Sequence, residues 1–307
     1  AFTQALALDP DFPHTYASLS ELWAVRSWYR SMGGQRDKVP HAILQARRYA
    51  QHTIALDPSL AEPYAALGAV LFTEGKFTDS SAQFAHAVRL NPNHASTRHW
   101  YATNLLIVGD PEGALAQVQH ALTIDPLLSN ALWTAAISLA ATHRYEEALV
   151  MCDRSEAVRP GFLPVLAERS RILLELGRKD DGIAVARSII QDTSSEIRWW
   201  ADSAAIYALQ RCGLGAEAED FARRATAELP ADDYRRALAL AALGRGAEGL
   251  ARSEPFPAMG RGHLIYHPMW DNVRNDPRFT AFLTRMNYLQ EYERGRAQAR
   301  NPPAPGD

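Results

Sequence analysis

The stretch PSLAEPYAALGAVLFTEGKFTDSSAQFAHAVRLNP, residues 58–92, decides the fold. It holds two apolar-periodic runs parted by the breaker Glu74-Gly75 and bounded at both ends by proline. Counted from Pro58, the residues 6, 9, 10 and 13 further on are Tyr64, Leu67, Gly68 and Leu71; those at 22, 26, 29 and 34 are Ser80, Phe84, Ala87 and Pro92. Large residues in such slots fill the space between two antiparallel helices, and small ones let the backbones approach. Proline then opens the following turn, where no helical N–H is missed.

The interval recurs. Pro58, Pro92, Pro126 and Pro160 stand 34 residues apart, preceded by Leu-Asp, Leu-Asn, Ile-Asp and Val-Arg. A second copy, 95–128, places Arg98, Tyr101, Ala102, Leu105, Ala114, Val118, Ala121 and Pro126 in the slots, with its first bulky slot degraded. A third, 129–162, gives Leu132, Ala135, Ala136, Leu139, Ala148, Cys152, Ser155 and Pro160. The fourth, 163–196, puts Arg169, Ser170 and Gly182 where apolar or small residues are wanted, and is expected to be the looser stretch. After a slip of two, a fifth copy at 199–232 recovers with Leu209, Gly213, Ala218, Ala222, Ala225 and Pro230.

These slots resemble the tetratricopeptide repeat, whose W-x2-L-G-x2-Y, A-x3-F and P positions they follow. The resemblance implies an all-α, right-handed superhelical solenoid of helix-turn-helix repeats, ending in a helical cap. The expected organisation is an enlarged repeat over 1–60 with an insertion near 28–40, five repeats over 61–232, an irregular helical cap over 233–289, and a largely disordered tail over 290–307. The run from Ala46 to Gly68, with Asp276-Pro277-Arg278-Phe279, Leu283 and Met286, resembles the carboxyl-terminal repeat regions of bacterial signalling and transcriptional regulatory proteins. In that group a DNA-binding, cyclase or kinase domain precedes the repeats. The opening residues read as the second half of a repeat rather than a signal peptide, so a piece of a longer protein is expected.

Composition closes off several functions. A net charge of −3 supplies no field for nucleic acid or anionic lipid, and no run of 18 apolar residues is present for membrane insertion. Cys152 and Cys212, 60 residues apart, form neither a disulfide framework nor a Cys-x-x-Cys knuckle; the expected location is the cytoplasm, with a periplasmic region of a membrane-anchored regulator as the alternative. Gly244-Arg-Gly246-Ala-Glu-Gly249 and Gly213-Leu-Gly215-Ala-Glu-Ala218 match dinucleotide-loop spacing, yet helical Ala-Leu patterns rather than strands precede them, so both read as inter-helix turns. No His-Glu-x-x-His or Gly-x-Ser-x-Gly occurs, and no enzyme, metal or cofactor is expected.

What the resemblance implies for a site is specific. Residues 4, 7, 8 and 11 after each marker proline line the concave face, which nominates His99, Thr103, Asn130, Trp133, Arg171, Trp200 and Tyr207 as partner-binding residues. Aromatic and Arg side chains anchor protein interfaces, and His99, Thr103 and Asn130 offer hydrogen bonds. Packing between neighbouring repeats is the alternative role for Trp100 and Trp200. The Lys/Asn clamp of chaperone-binding repeat proteins is missing, because its slots hold His99, Thr103, Thr134, Pro164 and Glu168. The expected function is a non-enzymatic scaffold for a protein or peptide, or for a second copy as a homodimer. The alternative is a small-molecule sensor controlling an upstream domain.

Overall fold

The computed structural model describes residues 4, 8–32, 35–192, 198–231, 233–251, 267–285, 288–290 and 292–293. The chain divides between Pro126 and Leu127 into two compact units. The first contains α1 (Pro13–Met32), α2 (Val39–Leu56), α3 (Glu62–Thr73), α4 (Phe77–Leu90), α5 (Ala95–Ile107) and α6 (Pro111–Ile124). The second contains α7 (Ser129–Ala141), α8 (Tyr145–Val158), α9 (Leu163–Glu175), α10 (Lys179–Gln191), α11 (Trp199–Arg211), α12 (Gly215–Ala225), α13 (Tyr234–Ala242), α14 (Gly246–Leu250) and α15 (Pro277–Arg285). No strand occurs among the described residues.

Within each unit the helices pair in sequence as hairpins, and the first helices of successive pairs also touch: α1, α3 and α5 in one unit, and α7, α9, α11 and α13 in the other. The enlargement near 28–40 lengthens helices. Helix α1 runs through Trp28, and Pro40 sits in the first turn of α2, where its missing N–H costs nothing. Gly33 and Gly34 lie outside the described residues, as does the tail from 294 onward.

One turn closes six hairpins. The N–H of Lys76 bonds Leu71 O at 2.9 Å, and the same bond joins Asp110 to Leu105, Arg144 to Leu139, Arg178 to Leu173, Leu214 to Leu209 and Arg245 to Leu240. The residue just before each donor is left-handed: Gly75, Gly109, His143, Gly177, Gly213 and Gly244. This is a six-to-one Schellman closure, which needs a positive φ at one position. Its sequence mark is Leu-x3-Gly, with His143 (φ 61°) the exception. Helices α13 and α14 therefore form a sixth hairpin inside the stretch where the 34-residue period is lost. The two glycine motifs supply turns and close packing: a Cβ at Gly249 would stand 2.8 Å from Ala237 Cα, so α13 and α14 touch backbone to backbone. Beyond them Trp270, Phe279, Phe282, Tyr288 and Tyr292 form a buried aromatic cluster, tied to the hairpin by Asn272 donating to Gly244 O and Arg285 to Leu250 O.

Two slots judged irregular from the sequence do the same work as regular ones. In the pair α3–α4, Gly68 lets the helices approach and Ser80 Oγ donates to Gly68 O at 2.9 Å. In α9–α10 the residues are exchanged: Ser170 occupies the Gly68 slot, Gly182 the Ser80 slot, and Ser170 Oγ donates to Gly182 O, also at 2.9 Å. The fourth repeat is thus not loose here, because a serine–glycine pair works in either order. Likewise Arg98 replaces the slot's tyrosine without losing its bond: its Nε donates to Pro92 O at 2.6 Å, as Tyr64 Oη donates to Pro58 O and Tyr16 Oη to Pro10 O.

Candidate partner-binding faces

Of the seven nominated residues, His99 and Thr103 belong to the first unit and the other five to the second. On α5, the Thr103 hydroxyl donates to His99 O at 3.0 Å. The His99 Nε2 is buried without a hydrogen-bond partner, and burial pushes the imidazole down from 6.5 to about 4, so it is neutral near pH 7. Beside it Trp100 packs edge-on against Trp28 (5.5 Å between ring centroids) and Phe72 (5.9 Å), which realises its packing alternative. Glu21 of α1 stands 11 residues after Pro10, an inward offset that the sequence reading did not apply to the enlarged repeat. Burial, with Glu62 adding like-charge repulsion, raises its carboxyl from 4.5 to about 7.

The second unit gathers more. Trp133 of α7 meets Trp200 of α11 at 4.8 Å between centroids, so two nominated aromatics two repeats apart form one patch. Phe162 extends it, 6.3 Å from Trp133, with the Arg159 guanidinium 4.2 Å above the Phe162 ring. Trp133 is only 7% exposed. On α9, Arg171 and Glu168 form an ion pair, with Nε to Oε2 at 3.2 Å and little solvent access on either side. Arg171 therefore presents a neutralised pair to a ligand instead of an isolated charge.

One turn further along, Arg211 of α11 bonds both Glu175 Oε1 and Tyr207 Oη, the latter at 3.2 Å. The Tyr207 ring stands edge-on to His267 at 4.8 Å, and burial raises the Tyr207 phenol. Burial, with Glu175 next, raises Tyr145 likewise. The structure thus brings together Trp133 with Trp200, and Tyr207 with Arg211. Asn130 offers a backbone carbonyl to the Thr134 hydroxyl at 2.9 Å. Glu175 and Arg211 were not foreseen; both stand at the inward slot plus four residues, one helical turn further along.

Among the described residues, no group of three or more His, Cys, Asp or Glu side chains is placed to hold a metal, and no helix is long and apolar enough to cross a membrane. Cys152, a buried free thiol, is pushed up by burial and is no nucleophile at neutral pH.

Paired helices with Schellman turns and slots repeating every 34 residues define a tetratricopeptide-repeat solenoid. No protein-family model matches the chain. The tetratricopeptide repeat protein of Parabacteroides merdae superposes with a TM-score of 0.58 at 14% identity, covering 85% of this chain and 99% of that one. The Cut9–Hcn1 hetero-tetramer of the APC/C gives 0.59 at 15% identity over 93% of this chain and 51% of that one. A thermophilic TPR protein of Thermus thermophilus gives 0.53 at 21% identity over 60% and 98%. At these identities the likeness is one of fold. By sequence, the transcriptional regulators HilA of Salmonella typhimurium and Salmonella typhi are each 24% identical over 200 residues, 63% of this chain and 34% of theirs. The chain spans about a third of the length of the curated relatives it matches.

Proposed function

We propose that this chain is a non-enzymatic scaffold that docks a protein or peptide on the row of first helices α7, α9 and α11. The observation that carries this is the Trp133–Trp200 patch, flanked by the neutralised Glu168–Arg171 and Glu175–Arg211 pairs. Such a face favours an apolar or aromatic partner segment, since aromatics that anchor in desolvated sites dominate binding energy while paired charges add little. A regulatory region of a larger bacterial signalling protein, in the cytoplasm, is the setting that the partial likeness to HilA and the free thiols support. Self-association through the same face is the homodimer form of this reading.

The test is an affinity measurement against an identified partner, or by sedimentation for self-association, with Trp200→Ala and Tyr207→Ala. Either substitution is expected to weaken binding by about thirtyfold, the effect of losing a hot spot of about 2 kcal/mol. Unchanged affinity for both, with circular dichroism unaltered, removes this face from the account.

A further inference from the structure

A cavity of about 460 Å³ is walled by α10, α11, α12 and α13. Its apolar lining is Ile190, Trp199, Ile206, Phe221, Ala225 and Ala239. Of the α11 residues that line it, Trp199 and Ile206 are each offset by one position from Trp200 and Tyr207, about 100° around the helix, so the apolar wall of this site and the aromatic patch draw on different sides of α11.

Its polar lining is unbalanced. Three guanidinium groups, Arg198, Arg224 and Arg235, stand around one carboxylate, Asp202. The acceptors are already engaged: Asp202 takes the Arg198 Nε–H at 2.9 Å, while the Ser203 and Thr226 hydroxyls donate to the Trp199 and Ala222 carbonyls. Donors remain over. Trp199 Nε1 is buried with no hydrogen-bond partner. Arg224 bonds Asp220 through Nε only, which leaves both terminal nitrogens spare, and Arg235 bonds Asp233 through Nε and Nη2, which leaves Nη1. The Trp199 donor is buried and unpaired, which is costly, while the Arg224 and Arg235 side chains are partly exposed at the rim; a cavity of this size with an aromatic wall and a few convergent polar groups has the form of a small-molecule site.

We propose that this cavity binds a small carboxylate carried on an aromatic or branched apolar body, the carboxylate taking the spare N–H groups of Arg224, Arg235 and Trp199. The apolar body lies against Phe221, Ile206 and Ile190. An inorganic anion would satisfy the donors but leave that lining uncovered. The pairing of Arg198 with Asp202 and with the carbonyls of Ile189 and Asp192 fixes the wall and does not compete for the ligand. The site is separate from the partner-docking face, and α11 contributes residues to both.

The experiment titrates the whole chain with phenylacetate, 4-methylpentanoate, the neutral isostere phenylacetamide, inorganic phosphate, and a tripeptide ending in a free Phe carboxylate, read by tryptophan fluorescence and by thermal midpoint. Expected are a Kd below about 1 mM for at least one small acid, and binding of its amide weaker by about tenfold or more, the effect of losing one charge-assisted hydrogen bond. Arg224→Gln with Arg235→Gln should weaken the acid by about tenfold or more, whereas the exposed Arg223→Gln should not. Trp199→Phe should weaken it too and remove the fluorescence response. The proposal is overturned if both small acids bind no tighter than about 1 mM, whether or not phosphate or the tripeptide binds. It is equally overturned if amide and acid bind alike, or if the double arginine variant binds as the wild type does.

Discussion

Gly68→Ala puts the helix-approach slot to a test in which two effects oppose. Alanine in a helix interior is normally better than glycine by about 1 kcal/mol, because the unfolded chain has less freedom to lose. A Cβ at residue 68, however, would stand 2.9 Å from Phe84 Cδ1 and Cε1 and 3.1 Å from Cγ. The ring has nowhere to go, since Phe84 is wholly buried among Ala24, Ala46, Ala66, Ala69 and Val70. Relief must come from moving α3 away from α4, which also stretches the Ser80 Oγ bond to Gly68 O. Overpacking of this kind costs about 1–3 kcal/mol, so the balance after the helical gain falls between about zero and 2 kcal/mol of destabilisation. Urea denaturation followed by circular dichroism measures it, with the same substitution repeated in a Phe84→Leu background. There the clash is gone and the intrinsic gain should reappear as a sign change. If Gly68→Ala stabilises the wild-type chain, or shifts both backgrounds equally, the close approach is not what glycine serves at this slot.

Other substitutions test the turn, the slot chemistry and the buried titrating groups. Gly177→Ala leaves free space around the new methyl but forces alanine to hold φ 76°, so a loss of about 1–2 kcal/mol in a thermal or urea melt is expected from backbone strain alone; no loss would deny the turn its role. Arg98→Met should cost about 1–2 kcal/mol because Pro92 O and Gln117 lose their donors, while Arg98→Tyr should recover most of it by restoring the hydroxyl-to-carbonyl bond of Tyr64. Equal stability of the two variants would sink that reading. Glu21 and His99 should oppose each other across acid pH. The raised Glu21 binds its proton more tightly when folded, so it strengthens the fold as pH falls from about 7 towards 4.5, whereas the depressed His99 weakens the fold as pH falls from 6.5 towards 4. Glu21→Gln should therefore steepen the acid loss of stability, and His99→Gln should flatten or reverse it; parallel pH profiles for the two variants would contradict both assignments.

Most of the fold was readable because stacking makes each slot answer to a local rule. Leucine, three intervening residues and a left-handed glycine make a turn signal, and it identifies the sixth hairpin at Leu240 to Gly244 even where the 34-residue count fails. What misled was treating a slot as a residue type. Arg98 and Tyr64 differ in charge and shape, yet each reaches the carbonyl six residues back; Ser170 with Gly182 inverts Gly68 with Ser80, yet each pair makes the same bond. Slots are defined by the atom delivered and the space left, and different side chains can meet both conditions.

The site was less legible for a geometric reason. Helical offsets tell which side of a helix a residue occupies, and they correctly set Trp133, Arg171, Trp200 and Tyr207 on first helices. They do not tell which residues meet across an intervening repeat. The Trp133–Trp200 contact joins residues 67 positions apart, and depends on how far α9 spreads its two neighbours, a quantity no single repeat encodes. Nor could spacing reveal that Arg171 is committed to Glu168, because two inward residues three apart on one helix are equally able to pair or to point past each other until the surrounding burial makes an unpaired charge too costly. Burial thus decides the chemistry of this face. It closes Glu168 and Arg171 into a pair and packs Trp133 against Trp200.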